Sequence, residues 1–375
     1  MKRMHSYLRI ILCLAIIVAV LATATMSFTD DRVALRTHFF TDSGGLLVRS
    51  PSLQFVKDLA RNTALTLQYS LDQVTIPPYR GISAKPLPTD GITGASKPVD
   101  AANPNANYIK NRNEVVGSLS ADRWGATIYY SGENDYVGRL LGVGYNQDFN
   151  QKNTNLALSA SFGWDTIKPL GRDTTFTKRN FIFDATITQS LSPVTSLRFG
   201  ADVSSASGFQ SNPYRTVFVN GGYALEAHPQ QRLRMAGFVK LNTFIKPAHA
   251  AVWLDYRLYG DDWGVRSHTL GLKFYQTMSK RLLLRYRYRF YTQTSAYFYR
   301  IDYPLDRLTT YFTADYKLEL FNSHLFGFQV EYQLDRLGAQ LPLLDRSTLE
   351  IKYERFFTSN NFTANIYQVG LNFSY

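Results

Sequence analysis

With 375 residues, a formal net charge of +12 and one cysteine, Cys13, the chain is too long and too thiol-poor for a disulfide-stapled mini-domain. Its 25 Tyr and 25 Phe sit in short alternating segments, and no apolar run reaches the roughly 18 residues of a membrane helix, which excludes a helical bundle in the bilayer. The basic residues are spread along the same segments instead of clustering, which argues against a nucleic-acid partner.

In chain order, MKRMHSYLR followed by the 15-residue apolar run IILCLAIIVAVLATA has the layout of a secretory signal over residues 1–24, cleaved after Ala24. Cys13 would leave with it. The mature chain is then expected to carry no disulfide, no cysteine-ligated metal and no covalent haem, and no cofactor is expected. Residues 25–62, which include LLVRSPSLQF, read as a periplasmic segment or an extra strand, and residues 63–375 as the body of the protein.

From there, ten-residue stretches with period-two alternation recur to the end. Leu65, Leu67, Tyr69 and Leu71 alternate with Thr66, Gln68, Ser70 and Asp72, and Leu197, Phe199, Ala201 and Val203 with Arg198, Gly200, Asp202 and Ser204. Such a strand has one apolar and one polar face. Fourteen are expected, at 63–73, 112–120, 125–134, 137–149, 153–165, 178–190, 194–206, 233–245, 248–260, 265–277, 280–293, 322–335, 346–357 and 361–375; twelve to sixteen stays open. YFTADYKLELF reads as a strand extension above the membrane. Tight turns such as 192–194 and 278–280 alternate with long links at 75–112, 166–178, 207–232 and 294–322, the asymmetry of an outer-membrane barrel.

The fold class expected is therefore all-β, a transmembrane antiparallel β-barrel of about fourteen strands in the bacterial outer membrane. A sheet spans a bilayer only when closed, because every backbone polar group must be paired internally. The last strand must then meet the first. Val369, Leu371, Phe373 and Tyr375 form a stripe ending in an aromatic, the pattern read by barrel assembly machinery. That machinery, periplasmic chaperones and outer-membrane lipid are the partners expected.

The order of DSGGLLVRSPSLQF, SLDQVTIPPYRG, SGENDYVG, NPYRTVF, LDYRLYGDDWG and RYRYRFYTQTSAYFY, from Asp42 to Tyr375, resembles a bacterial outer-membrane barrel family known only as a domain of unknown function, number three-five-seven-zero. The resemblance implies a barrel and an outer-membrane location, and no established activity. Relatives are often encoded near flavin-transferase and thioredoxin-like proteins, which implies periplasmic redox-related partners.

Chemistry is expected on the inward faces. Lipid-facing Arg near the midplane costs about 2–4 kcal/mol, so Arg285, Arg287 and Arg289 should point inward. Asp255, Arg257, Lys273, Glu331, Glu350, Lys352 and Glu354 complete a pore lining of interleaved acid and base. Two readings follow: a constriction that passes small hydrophilic solutes, as a porin-like channel or export conduit, and a salt-bridge ladder bracing a non-conducting scaffold for periplasmic or surface partners. An outer-membrane hydrolase is the third class, but no catalytic or metal residue is assigned. His38, His228, His249, His268 and His324 fall in no nucleophile–base motif, and His268, on a strand interior or rim, is the best of them. Asp261 and Asp262 read as a tight external turn, and Tyr297, Phe298 and Tyr299 as rim girdle residues.

Overall fold

The computed structural model describes residues 31–77, 107–303, 309–335, 344 and 346–374. The expected signal at 1–24, most of the link at 75–112 and Tyr375 lie outside the described residues.

Sixteen strands form one closed antiparallel barrel. They are β1 (Arg32–Asp42), β2 (Leu47–Ala60), β3 (Thr63–Ile76), β4 (Tyr108–Ala121), β5 (Trp124–Gly132), β6 (Tyr136–Phe149), β7 (Thr154–Ile167), β8 (Phe176–Ser192), β9 (Thr195–Gly208), β12 (Gln231–Ile245), β13 (Ala250–Asp261), β14 (Arg266–Thr277), β15 (Leu282–Gln293), β16 (Phe321–Gln333), β17 (Thr348–Thr358) and β18 (Thr363–Ser374). A two-stranded hairpin, β10 (Thr216–Val219) and β11 (Gly222–Leu225), lies in the β9–β12 link. Each of the fourteen expected segments overlaps one strand of β3–β9 or β12–β18.

The count corrects from fourteen to sixteen because residues 31–62 hold β1 and β2. Pro51, which has no N–H to give, sits in β2, where the β2–β3 ladder lapses between Arg49↔Gln73 and Ser52↔Ser70 and resumes in the same register. Closure runs from β18 to β1, from Asp42↔Ala364 to Arg32↔Ser374, and not to the strand at 63–76.

The outer surface shows why this sheet needs a membrane. Leu35, Leu67, Ile128, Leu141, Phe162, Phe199, Leu254, Leu272, Phe328 and Val369 are all exposed, on strands spaced around the whole cylinder. Exposed apolar surface on this scale is solvated by hydrocarbon and not by water.

The two ends differ. One end has the turns 61–62, 122–123, 150–153, 193–194, 246–249 and 278–281, with 334–347 as the exception; the other carries the links 77–107, 168–175, 209–230 and 294–320. At this loop end, inside the wall, Phe40, Leu46, Val48, Val74, Ile76, Phe362 and Ala364 make an apolar cluster, and Tyr316 of the 294–320 link packs on Phe362 with ring centroids 5.7 Å apart. YFTADYKLELF is thus not a strand extension: it turns through a 3-10 segment, Tyr316–Leu318, that folds into the barrel.

Candidate functional site

The register fixes which groups share the lumen. On β12–β15, Arg232, Arg234, Lys240, Arg257, Lys273, Arg285, Arg287 and Arg289 project inward, joined by Asp255 and Asp261 as the inward acids. Arg257 pairs with Asp202 on β9 at 2.7 Å, Arg287 with Glu354 at 2.8 Å, and Lys352 with the same Glu354 at 3.2 Å. Arg285 donates to Gln329 at 2.7 Å and lies over the Tyr275 ring, while Lys273 lies over Trp253. Arg289 faces inward with its Nε buried and unbonded. Glu331 stands opposite Glu350 in the β16–β17 register, and Glu350 accepts from Gln368 at 3.1 Å.

The structure therefore gathers Arg287, Lys352 and Glu354 into one cluster and sends Arg257 elsewhere, to an Asp202 absent from the expected lining. Asp255 has no described ion pair; it lies along the wall over Gly271, where an added Cβ would stand 2.5 Å from both carboxylate oxygens. Glu354 lies similarly over Gly327. Only glycine leaves room for charged chains to lie flat, which keeps them off the barrel axis. Val369, Leu371 and Phe373 face outward on β18.

The Arg257–Asp202 pair is wet, whereas Glu354 is only 6% exposed. Inside a closed wall, the Arg257 side chain is still 40% exposed and Asp202 27% exposed. A packed ladder would bury them both; here water reaches the interior.

At the loop end two links fold across the lumen and lock together. Ala227 and Phe312 exchange backbone hydrogen bonds of 3.0 and 2.9 Å, and Arg215 reaches Asp315 at 2.6 Å. Glu226, its side chain fully buried, accepts from Thr313 Oγ1 at 2.8 Å and from the Asn212 N–H at 2.5 Å, with Arg215 at 3.5 Å and His228 Nε2 at 3.4 Å. Burial alone would raise the Glu226 pKa; His228 and Arg215 outweigh it and hold the carboxyl below its usual range. Burial also lowers the Lys317 pKa, below the ordinary lysine range, because it disfavours the charged ammonium.

The folded links are also tied to the wall. Tyr214 donates to Asp135 at 2.6 Å and accepts from the Leu170 N–H at 2.8 Å, Lys110 pairs with Asp135 at 2.9 Å and with Glu133, and Gln293 donates to the carbonyls of Lys317 and Glu319. Beneath them is a cavity of about 600 Å³ whose lining includes Lys110, Asp135, Tyr136, Asp165, Tyr214, Glu226, Arg234, Asp315 and Lys317.

The pore-lining expectation missed this upper site, although three of the quoted stretches carry it. SGENDYVG supplies Glu133, Asp135 and Tyr136; NPYRTVF supplies Asn212, Tyr214 and Arg215; LDYRLYGDDWG supplies Asp261, which pairs with Arg232 at 2.5 Å and caps its turn by accepting from the Trp263 and Val265 N–H groups. Phe298, expected at a rim, packs instead on Trp263 and His228. His268, the leading histidine, faces outward on β14, with Nδ1 2.6 Å from the Tyr256 hydroxyl. Among the described residues no three His, Cys, Asp or Glu side chains group as metal ligands.

The family described as "Protein of unknown function (DUF3570)" matches residues 23–186 and 173–343. No curated protein matches the chain. Solved structures of similar architecture include the outer membrane protein OpdK of Pseudomonas aeruginosa (8% identity, TM-score 0.46, covering 93% of this chain and 98% of that one). OccD3 (OpdP) of the same organism (10%, 0.46, 93% and 92%) and a BenF-like porin of Pseudomonas fluorescens Pf-5 (10%, 0.43, 93% and 100%) are others.

Proposed function

The chain belongs to the DUF3570 family, and we propose that it serves in the bacterial outer membrane as a porin-like channel or export conduit for small hydrophilic solutes. The observation that carries this reading is the solvated ion pair: Arg257 and Asp202 stay partly exposed within a closed wall. Solutes would meet the locked links 209–230 and 294–320 first, then the cavity beneath them, then the basic wall of β12–β15. The selectivity expected is a mild preference for anions, because Glu331, Glu350 and Glu354 stand on the neighbouring strands and offset part of the positive field. The work is passive; no reaction is assigned to any side chain.

Planar-bilayer recording of the refolded protein tests the reading. Stepwise conductance with reversal potentials on the anion side is expected. Complete absence of conductance, with folding verified, would favour the second reading, a non-conducting scaffold. That alternative draws on the apolar cluster around Phe40 and Phe362 and on the Arg215–Asp315 lock, both of which narrow the mouth.

A further inference from the structure

The outward face of β5–β8 carries a feature that the channel does not use. Tyr130 pairs with Arg139 across β5–β6, and Trp164 pairs with Arg179 across β7–β8. The β6–β7 register, with Val137↔Thr166 on one side and Leu140↔Gly163 on the other, sets Arg139 opposite Trp164. Four adjacent strands thus present Tyr, Arg, Trp and Arg in one row, near the loop end and on the lipid side. With strands about 4.8 Å apart, the two arginine stems start about 10 Å from each other across the indole.

Neither arginine has an acidic partner among the described residues; Arg139 donates only a long 3.4 Å bond to Thr166 Oγ1. The nearest strand acid, Asp165, is turned to the lumen and held by Tyr136 and Asn180. One step toward the turn end the next outward row is Ile128, Leu141, Phe162 and Phe181, paired in register and all exposed. A cationic row directly above an apolar shelf fits an anionic amphiphile standing parallel to the barrel axis.

The geometry points to a docking site for a phosphorylated glycolipid of the outer leaflet, its phosphate between Arg139 and Arg179, its sugar against Trp164 and an acyl chain on Phe162 and Phe181. Arginine is suited to phosphate because its planar fork donates two parallel hydrogen bonds, and an indole offers a sugar a flat apolar face at the headgroup level. The other outward strand arginines stand in different settings: Arg355 is bonded to Asn365, Arg49 stands on β2 between Phe39 and Gln73, and Arg266 stands on β14 opposite Gly260. The assignment holds whether or not the barrel conducts.

Native mass spectrometry of the refolded protein in detergent, titrated with diphosphorylated lipid A, tests it. The unmodified protein should retain lipid A and lose about ten-fold in affinity for the dephosphorylated form, a comparison that needs no variant. R139Q/R179Q should weaken binding about five-fold or more, with R49Q/R355Q unchanged, folding being checked by heat-modifiable gel mobility. Equal retention of the two lipid A forms would overturn the proposal, as would a double variant that binds like the parent. Equal competition by phosphatidylglycerol would overturn the glycolipid assignment, since it would leave only a generic site for anionic lipid.

Discussion

Arg215 and Asp315, a hundred residues apart in sequence, meet at 2.6 Å across the lumen and join the two links that cover it. Each side chain is only 14% exposed, so removing Arg215 takes from the poorly solvated Asp315 carboxylate its guanidinium, while removing Asp315 leaves Arg215 with the longer 3.5 Å contact to Glu226. Breaking such a pair costs about 3–5 kcal/mol. Asp315→Asn should therefore release the 294–320 link from the 209–230 link. Single-channel conductance should rise and protease should cut within these links; an unchanged trace and digest would count against the lock.

Acid should open the same lock. The folded-state pKa of Glu226 is depressed, so its contribution is present above the ordinary glutamate value of 4.5 and is lost as pH falls through the lower folded value. The groups facing it are the Arg215 guanidinium and the His228 imidazole, with Asp315 beyond Arg215. Closure should hold from neutral pH to about 5 and fail below the normal glutamate range, read as conductance against pH. Glu226→Gln should remove that step while leaving the Arg215–Asp315 pair in place.

Gly271→Leu should narrow the channel. Its new side chain enters space held by the Asp255 carboxylate, pushing that group toward the axis at about 1–3 kcal/mol of overpacking. Conductance should fall several-fold with the barrel still heat-modifiable. A parent-like conductance would mean that this level of the wall is not limiting.

Lys240 and Lys273 have no acidic partner among the described residues and lie over Phe238 and Trp253. Lys240→Glu combined with Lys273→Glu should shift the reversal potential in a salt gradient toward cations. If the potential does not move, permeating ions do not pass the β12–β14 wall.

Phe373, outward on β18 opposite Val33 of β1, should matter to assembly more than to the pore. Phe373→Ser gives up about 1.5–3 kcal/mol of apolar contact with the bilayer, and with it part of the proposed recognition stripe. The folded fraction in membranes should drop, while molecules that do assemble should conduct like the parent.

Much of the barrel was legible because alternation is enforced by hydrocarbon on one side and water on the other. It failed where that rule is diluted. In β1 the adjacent Phe39 and Phe40 put an aromatic on each face, the second inside the apolar cluster, and outward Thr37 and Thr41 weaken the stripe; in β2 Pro51 argues against a strand. The lumen charges were legible from their strands, but their partners were not. Arg257 finds Asp202, which only the β9–β12–β13 order brings within reach. The upper cavity was illegible for the same reason: Arg215, Glu226, Thr313 and Asp315 come from two loops without periodicity, and no spacing announces that they fold inward.

The β1–β18 seam has a consequence for biosynthesis. The two strands that seal the wall come from opposite ends of the sheet's sequence, so neither raw edge can be satisfied while residues 363–374 are missing. A ribosome that stalls short of them releases a ribbon with unpaired amides along both borders and nothing to shield them from oil. Quality control in the periplasm thus receives a clear signal, because a nearly finished chain is as unfit to enter the membrane as a barely started one.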